Sequence, residues 1–360
     1  MNGTERAGAA RPPRSRLRGF APKILLLAVT LALCLAIMEG AVRIALPFFR
    51  PEAQIPHHFN ASYGIVLGSP NQTVRVATPK GDYSCLIHYN ADGFRDSKNL
   101  SESKPGDWFG LGDSYTMGWG VAENERFTSL LEQEFKRTAP SPRVFNIALP
   151  DNIIGYQRLL KYAEGRGASV SNLIVGICME NDLWDYSDGK SVWDDIAAGK
   201  ITQSKKESAR SWMKAHSALY IATSFTLQKI TFLRVFFEKL GIARNLDTLT
   251  GKAEWNQKVL QTSRDEVVKL VTGRNALILI VPSRRLWEGQ EKEIQLRIHE
   301  TFVSSLRDSG LKVLDLKPAF ESQGDPMNLY YKTDPHWNPR GHAVAARELF
   351  KAIKGGSASD

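Results

Sequence analysis

A serine at the centre of a glycine-rich turn is the first residue of this sequence that could do chemistry. Gly112-Asp-Ser114 follows the apolar run Trp108–Leu111, which is typical of the end of a buried strand. Ligands of open α/β sheets bind at the carboxyl ends of the strands, so a hydroxyl at this position is well placed to react. Taken alone, the same residues also fit an ordinary surface turn.

A base for Ser114 must come from elsewhere in the chain, because a serine hydroxyl is a poor nucleophile until an imidazole takes its proton. The sequence has seven histidines, and the segment Thr333-Asp-Pro-His-Trp-Asn-Pro-Arg-Gly-His342 places one of them beside an acid in a rigid frame. Asp334 would hold the imidazole of His336 in the tautomer that accepts a proton. The alternative is a turn residue at a helix entry followed by a surface histidine.

Strands that alternate with helices would bring these distant residues together. Apolar runs predict strands at residues 108–111, 144–148, 172–179, 276–281 and 312–316. Amphipathic spacing predicts helices at residues 124–137, 157–164, 291–309 and 343–353. The alternation predicts a three-layer α/β/α fold with a doubly wound parallel sheet. Asn146, Asn181-Asp182 and Asp334-Pro-His336 would then all lie at the edge of the sheet.

The amino-terminal residues indicate attachment to a membrane. Residues 1–23 carry a charge of +5 out of a total of +9, so the basic balance does not predict a nucleic-acid surface. An apolar stretch follows, and residues 24–47 are predicted to form a single transmembrane helix if Lys23 and Arg43 extend toward the headgroups. The positive-inside rule places the amino terminus in the cytoplasm and the remainder outside it. A cleaved signal peptide is the competing interpretation, although no clear cleavage site precedes Glu39.

The composition divides the chain into five parts. They are a basic cytoplasmic tail (1–23), the anchor (24–47), a linker with a small β-containing pre-domain (48–103), the α/β domain (104–353) with a helical insertion (184–255), and a flexible tail (354–360). The insertion lacks β patterning and could act as a lid. The three cysteines show no metal-ligand spacing, so neither a metal site nor a cofactor is predicted.

The order of the motifs resembles the SGNH, or GDSL, esterase superfamily from about residue 104 to residue 353. The similarity rests on Gly-Asp-Ser after the first core strand, Asn146 after the second, Asn181-Asp182 after the third and Asp334-Pro-His336 before the last helix. The resemblance implies that Ser114 is the nucleophile and that His336, oriented by Asp334, is the base.

An oxyanion hole is implied by the same resemblance, with the side-chain N–H of Asn181 and the backbone N–H of Ser114 as donors. The family usually supplies a further N–H from a glycine, but here Ala148 or Asp151 stands where that glycine is expected. A carboxylate close to a developing oxyanion would oppose catalysis. A catalytically weak glycan-binding or assembly protein with the same fold is therefore an alternative.

The substrate class is also implied by resemblance. Asp-x-His-Trp, with the following Asn-Pro-x-Gly-His, is similar to the SGNH-like domains of alginate O-acetyltransferases and of membrane-anchored bacterial glycan-modifying proteins. This implies an extracytoplasmic esterase, periplasmic in a Gram-negative cell, that removes acetyl or other O-acyl groups from a glycan or small ester. An O-acetyltransferase for a cell-surface polysaccharide is the alternative, with a membrane-bound acyltransferase as a candidate partner. The candidate substrate contacts are Trp337, Asn146, Asp182 and Arg284.

Overall fold

A computed structural model describes residues 21–46, 57–78, 81–137, 141–194, 209, 212–213, 216–229 and 255–356. The strands are β1 His57–Asn60, β2 Ile65–Gly68, β3 Thr73–Ala77, β4 Ser84–His88, β5 Trp108–Leu111, β6 Val144–Asn146, β7 Asn172–Cys178, β8 Asn275–Val281 and β9 Lys312–Asp315. The α-helices are α1 Ala21–Ala45, α2 Ser114–Met117, α3 Phe127–Lys136, α4 Ile153–Gly165, α5 Ala218–Lys229, α6 Gln257–Val271, α7 Lys292–Asp308, α8 Lys317–Glu321 and α9 Pro339–Gly356.

Five parallel strands form the central sheet in the order β6-β5-β7-β8-β9. Trp108 of β5 pairs with Val144 on one side and with Asn172 on the other. The strand order therefore reverses between β5 and β7, and in open α/β sheets ligands bind at the carboxyl ends of the strands beside such a reversal. The predicted α/β fold with a doubly wound parallel sheet is confirmed.

Both faces of the sheet are covered by helices. Phe109 and Leu173 pack in one apolar cluster with α4, α6 and α7, while Trp108 and Ile174 pack in a second cluster with α3, α8 and α9. Successive side chains of a strand point to opposite faces, so adjacent residues enter different layers. This explains why β7 and β8 are apolar at nearly every position, as expected for strands covered on both sides.

Two antiparallel hairpins, β1 with β2 and β3 with β4, precede the sheet and form separate two-stranded sheets. Ile65, Ile87 and Phe94 of this region are fully buried in the same apolar cluster as Phe109 of β5. The sequence left open whether this region is a small domain or an edge hairpin. In the structure it contributes side chains to the core of the central sheet.

Helix α1 is long and apolar enough to cross a membrane, as judged by length and composition. Near its end, the carboxylate of Glu39 accepts hydrogen bonds of 2.9 Å from the N–H groups of Ala218 and Leu219 and of 2.8 Å from the hydroxyl of Ser217. These donors lie at the start of α5, so Glu39 caps that helix from another element. The rest of the predicted insertion, apart from residues 184–194, 209, 212–213, 216–229 and 255, lies outside the described residues, as do residues 1–20 and 357–360.

His342 is buried at the start of α9 between two aromatic rings. Its ring stacks on Phe127 at 6.0 Å between centroids and meets Trp337 edge-on at 5.6 Å. Burial lowers the pKa of His342 to about 3, and nearby positive charges, including that of Arg95, act in the same direction. The folded protein therefore holds this imidazole neutral, whereas the unfolded chain binds a proton below about pH 6.5.

This difference predicts that His342 makes stability depend on pH. Between about pH 6.5 and pH 3 the unfolded state binds more protons at this residue, so stability falls as the pH falls. His342 should lower the free energy of unfolding by about 2 kcal/mol between pH 7 and pH 5. Urea unfolding of the full chain should show a smaller loss over this range in His342→Leu than in the wild type.

Val344→Ala, in the same helix and apolar cluster, serves as the control for this prediction. It should lower stability at both pH values by the same amount, because no titratable group changes. An equal pH-dependent loss in His342→Leu and in the wild type would contradict the role of His342.

Candidate active site

A tight turn after β5 presents Ser114 at the carboxyl edge of the sheet. Gly112 has a φ of 153°, and a Cβ atom there would lie 2.8 Å from the carbonyl oxygen of Gly176, so glycine is required. Asp113 then caps α2 by accepting a 2.9 Å hydrogen bond from the N–H of Tyr115. Ser114 is thereby fixed as the first residue of the helix, with its side chain half-buried.

The structure places Ser114, His336 and Asp334 in one hydrogen-bonded chain. The Oγ atom of Ser114 lies 2.7 Å from Nε2 of His336, although 222 residues separate the two. On the other side of the ring, Nδ1 of His336 lies 2.6 Å from Oδ1 of Asp334. The same carboxylate oxygen also accepts a 3.0 Å hydrogen bond from the backbone N–H of His336.

The tautomer of His336 follows from the state of Asp334. Burial is the largest effect on that carboxyl and raises its pKa, but the hydrogen bonds and charge of His336 and the hydroxyl of Tyr83 together hold the pKa below its usual range. Asp334 is therefore ionised at neutral pH and can only accept. Nδ1 must carry the hydrogen, which leaves Nε2 of His336 to accept the hydroxyl proton of Ser114.

Aromatic residues hold the imidazole of His336 in place. The ring of Tyr115 lies 4.8 Å from it between centroids, and the Tyr115 hydroxyl donates a 2.7 Å hydrogen bond to the carbonyl of Pro335. Trp119 lies on another side at 6.2 Å. Because Tyr115 directly follows the serine, the same helix that presents the hydroxyl also supports the ring that accepts its proton.

Asn181, just after β7, lies next to this arrangement. Its Nδ2 atom donates a 3.1 Å hydrogen bond to Oδ2 of Asp113, the residue before the serine. One N–H of the amide is used in this contact and the second is free to face a substrate, because the side chain is exposed. The backbone N–H of Ser114, at the start of α2, has no partner within its helix. These two groups are the candidate donors of an oxyanion hole.

The sequence predicted a third donor to the oxyanion hole, the backbone N–H of Ala148 or Asp151. The N–H of Ala148 donates to Oδ1 of Asn146 at 3.2 Å, so it is engaged within its own loop. The carboxyl of Asp151 is buried against Gly155 of α4 and accepts a 2.8 Å hydrogen bond from the N–H of Asn152. Burial raises the pKa of Asp151 to about 7, so much of this carboxyl is neutral near neutral pH.

Three of the predicted substrate contacts are interior residues. Asn146, Asp182 and Trp337 expose 1%, 0% and 0% of their surface. The amide of Asn146 donates 2.7 Å to the carbonyl of Thr116, and Asp182 accepts 2.8 Å from the hydroxyl of Tyr156. Trp337 packs in the cluster below α9. In this structure each of these three side chains is directed into the core and not along the sheet edge, where a substrate would lie.

Arg284, the fourth predicted substrate contact, supports the loop that carries the base. Its guanidinium donates hydrogen bonds of 3.2 Å to the carbonyl of Asp334 and 3.4 Å to that of Tyr331. It also forms an ion pair with Glu288 at 2.5 Å. These contacts direct the group toward the protein, so its observed role is to hold the loop.

A buried arginine near the nucleophile was not singled out by the sequence. Arg95 is 0% exposed and donates to the carbonyls of Val121, at 2.6 Å, and of Met117, at 3.3 Å, both in the segment after Ser114. It donates to Gly118 as well. Nothing local in Asn90-Ala-Asp-Gly-Phe-Arg95 indicates that the charge is buried, since the segment is typical of a turn.

Glu180 is a second residue that the sequence did not indicate. It lies between β7 and Asn181, and its Oε2 atom is buried without a hydrogen-bond partner among the described residues. Burial raises the pKa of this carboxyl, while the positive charges of Arg285 and Arg284 partly oppose the rise. Tyr83, which the sequence also did not indicate, contacts Asp334. Within the described part of the chain, no group of His, Cys, Asp and Glu side chains could hold a metal ion.

The carboxyl-terminal part of the chain, which carries Asp334 and His336, has a recognisable relative. Residues 256–359 match a family model described as the SGNH hydrolase-like domain of the acetyltransferase AlgX. This part of the chain is similar to AlgX. The match confirms the resemblance to the SGNH superfamily and to alginate acetyltransferases that the motifs predicted. A sequence comparison with curated proteins finds no match.

Several solved structures are similar to the chain. A member of the lipolytic G-D-S-L family from Veillonella parvula is 10% identical, with 69% of this chain and 98% of that one covered and a TM-score of 0.38. The lipase/acylhydrolase from Enterococcus faecalis is 12% identical, with 69% and 96% covered and a TM-score of 0.38. A carbohydrate esterase family 2 enzyme from Corynascus thermopiles is 13% identical, with 75% and 71% covered and a TM-score of 0.36.

The geometry predicts that Ser114 reacts selectively with a fluorophosphonate probe. Full-length protein in detergent should be labelled at Ser114, as shown by mass spectrometry of its peptides. His336→Gln should label far more slowly, because the hydroxyl loses the acceptor of its proton. His88→Gln, a change on the β3–β4 hairpin, is the matched control and should label like the wild type. Labelling that persists in Ser114→Ala would show that another residue is the nucleophile.

Proposed function

We propose that this protein is a serine esterase of the SGNH type that removes O-acyl groups, acetyl above all, from a glycan or a small ester. The observation that carries the proposal is the hydrogen-bonded chain from Ser114 through His336 to Asp334, with distances of 2.7 Å and 2.6 Å. The family match over residues 256–359 supports it, because that family is described as SGNH hydrolase-like.

The proposed reaction has two steps. His336 takes the proton of Ser114 as Oγ attacks the acyl carbonyl, and the oxyanion accepts hydrogen bonds from the N–H groups of Ser114 and Asn181. The imidazolium, stabilised by Asp334, then protonates the departing alkoxide, which leaves an acyl-serine. In the second step His336 takes a proton from water as the water oxygen bonds to the acyl carbon. The bond from that carbon to Oγ of Ser114 then breaks, Oγ takes the proton from His336, and the carboxylic acid is released.

A second candidate function is O-acetyl transfer to a cell-surface polysaccharide. It is favoured by the description of the matching family as an acetyltransferase. The first step would be the same, and a sugar hydroxyl would replace water in the second. Attachment through α1, with the α/β domain outside the cytoplasm and a membrane-bound acyltransferase as partner, belongs to this proposal. The helix and the basic residues before it support the orientation.

A third candidate is a binding or assembly protein that lacks catalytic power. One observation favours it: the N–H of Ala148, which was expected in the oxyanion hole, donates to Asn146. Asn181 remains as the side-chain donor, so the strength of the hole depends on this residue.

The proposal is tested with full-length protein in detergent, using 4-nitrophenyl acetate as the acyl donor. We expect acetate release that Ser114→Ala abolishes, because the acyl-serine can no longer form. Added oligosaccharide distinguishes the first two candidates: acetylated oligosaccharide in the mass spectrum indicates transfer, and free acetate alone indicates hydrolysis. Acetate release at the background rate in both the wild type and Ser114→Ala would favour the third candidate, the binding protein.

The oxyanion role of Asn181 gives a separate prediction. Asn181→Ala should lower kcat by about 100-fold to 1,000-fold with little change in KM, because the lost donor acts on charge that develops in the transition state. Asn172→Ala, at the opposite end of β7, is the matched control and should retain activity. An unchanged kcat in Asn181→Ala would exclude this amide from the oxyanion hole.

A further inference from the structure

The second oxygen of the Asp334 carboxylate has its own donor, which comes from the amino-terminal hairpin. The hydroxyl of Tyr83 donates a 3.1 Å hydrogen bond to Oδ2 of Asp334, the oxygen that His336 does not contact. The Nε1–H of Trp119 in turn donates to the Tyr83 hydroxyl at 2.6 Å. The chain of hydrogen bonds at Ser114 therefore extends beyond Asp334 by two further residues.

The hairpin contacts the loop of Asp334 at more than one point. Tyr83 lies in the turn between β3 and β4, and its ring lies 4.9 Å from that of Tyr331 between centroids. The neighbouring Asp82 accepts a 2.8 Å hydrogen bond from the N–H of Thr333 and another from the Thr333 hydroxyl. The turn therefore contacts both the segment immediately before Asp334 and Asp334 itself.

The direction of the hydrogen bond is fixed by the chemistry of the three groups. Burial raises the pKa of Tyr83 well above its usual value, and the charge of Asp334 acts in the same direction, so the phenol keeps its proton. An indole N–H can only donate. Tyr83 therefore accepts from Trp119 and donates to Asp334, which leaves no other arrangement for this hydroxyl.

We propose that Tyr83 is a positioning residue of the serine, histidine and aspartate arrangement, and this inference rests on the proposed function. Its hydroxyl fixes the rotation of the Asp334 carboxylate, so that Oδ1 faces Nδ1 of His336. The hydrogen bond from this hydroxyl also stabilises part of the negative charge on the carboxylate. An amino-terminal hairpin outside the central sheet thereby sets the orientation and basicity of the imidazole.

Removal of this donor has two consequences. The carboxylate is then held through Oδ1 alone, so the fraction of molecules with a correctly oriented imidazole falls. Its full charge then faces the imidazolium, so the pKa of the base that is read from the pH dependence of kcat/KM rises. A hydrogen bond to a charged group predicts a loss in kcat/KM of about 10-fold to 100-fold.

Other titratable or charged groups also face His336 and are the same in every variant tested. They are Asp334 on its own loop, Asp113 beside the serine, Glu180 after β7, His342 on α9 and, through the carbonyl of Asp334, Arg284. The variants below change none of them, so a shift in the pH profile reports the loss of the phenol.

The experiment compares Tyr83→Phe with the matched control Tyr331→Phe in full-length protein. Both remove one hydroxyl from the same aromatic cluster, but the hydroxyl of Tyr331 donates 2.8 Å to the carbonyl of Gly120. Rates of 4-nitrophenyl acetate hydrolysis and of fluorophosphonate labelling are measured from about pH 5 to about pH 9. We expect Tyr83→Phe to lower the rates and move the midpoint to higher pH, and Tyr331→Phe to alter only thermal stability.

Trp119→Phe is a second variant that tests the inference if Tyr83→Phe does not fold. It retains the phenol and an aromatic ring beside His336 but removes the indole N–H that donates to Tyr83, so it should shift the midpoint in the same direction by a smaller amount. A pH midpoint that is unchanged in the folded variants, or equally changed in Tyr331→Phe, overturns the inference. Failure of the proposed function is recognised separately, since the wild-type Ser114 would then not be labelled at any pH.

Discussion

The hydrogen bond between Ser114 and His336 is the interaction on which the rest of the site depends, and it joins two turns that lie far apart in the sequence. The serine turn is fixed by the sheet, because Gly112 fits closely against the backbone of β7. The histidine loop is fixed from several sides. Tyr115 binds the carbonyl of Pro335, and Tyr330 donates 2.8 Å to the carbonyl of Pro282 after β8. Contacts from the serine helix and from the loop after β8 therefore both hold the histidine loop in place.

The carboxyl groups around the bond between Ser114 and His336 differ in the direction of their pKa shifts. Asp113 and Asp182 are enclosed at the ends of β5 and β7, and burial raises the pKa of each. Asp334 is half-buried, and the donors on both of its oxygens hold its pKa low. The structure thus keeps a charged carboxylate where an imidazolium must be stabilised. The other carboxyls mainly accept hydrogen bonds from the backbone and from side chains of the core.

The strands and their parallel order could be read from the sequence, because apolar runs and turn residues are local signals. Ser114 and Asn181 follow β5 and β7, and the edge of a parallel sheet brings such positions together, while His336 lies in the loop before α9. The direction of a side chain at that edge is not a local signal. Asn146 and Asp182 follow strands as predicted but turn inward, where backbone groups and tyrosine hydroxyls need partners. Tyr83 lies 251 residues from Asp334, so no spacing could have indicated the contact.

The cap that Glu39 provides for α5 joins two distant parts of the chain. Glu39 lies six residues before the end of α1, which corresponds to about 9 Å along a helix axis. With α1 in a bilayer, the first turn of α5 would sit at the boundary between lipid and water. The contact joins Glu39 to Ala218 across 179 positions, so the chain between them, which includes β1 to β7, would leave the bilayer surface and return to it.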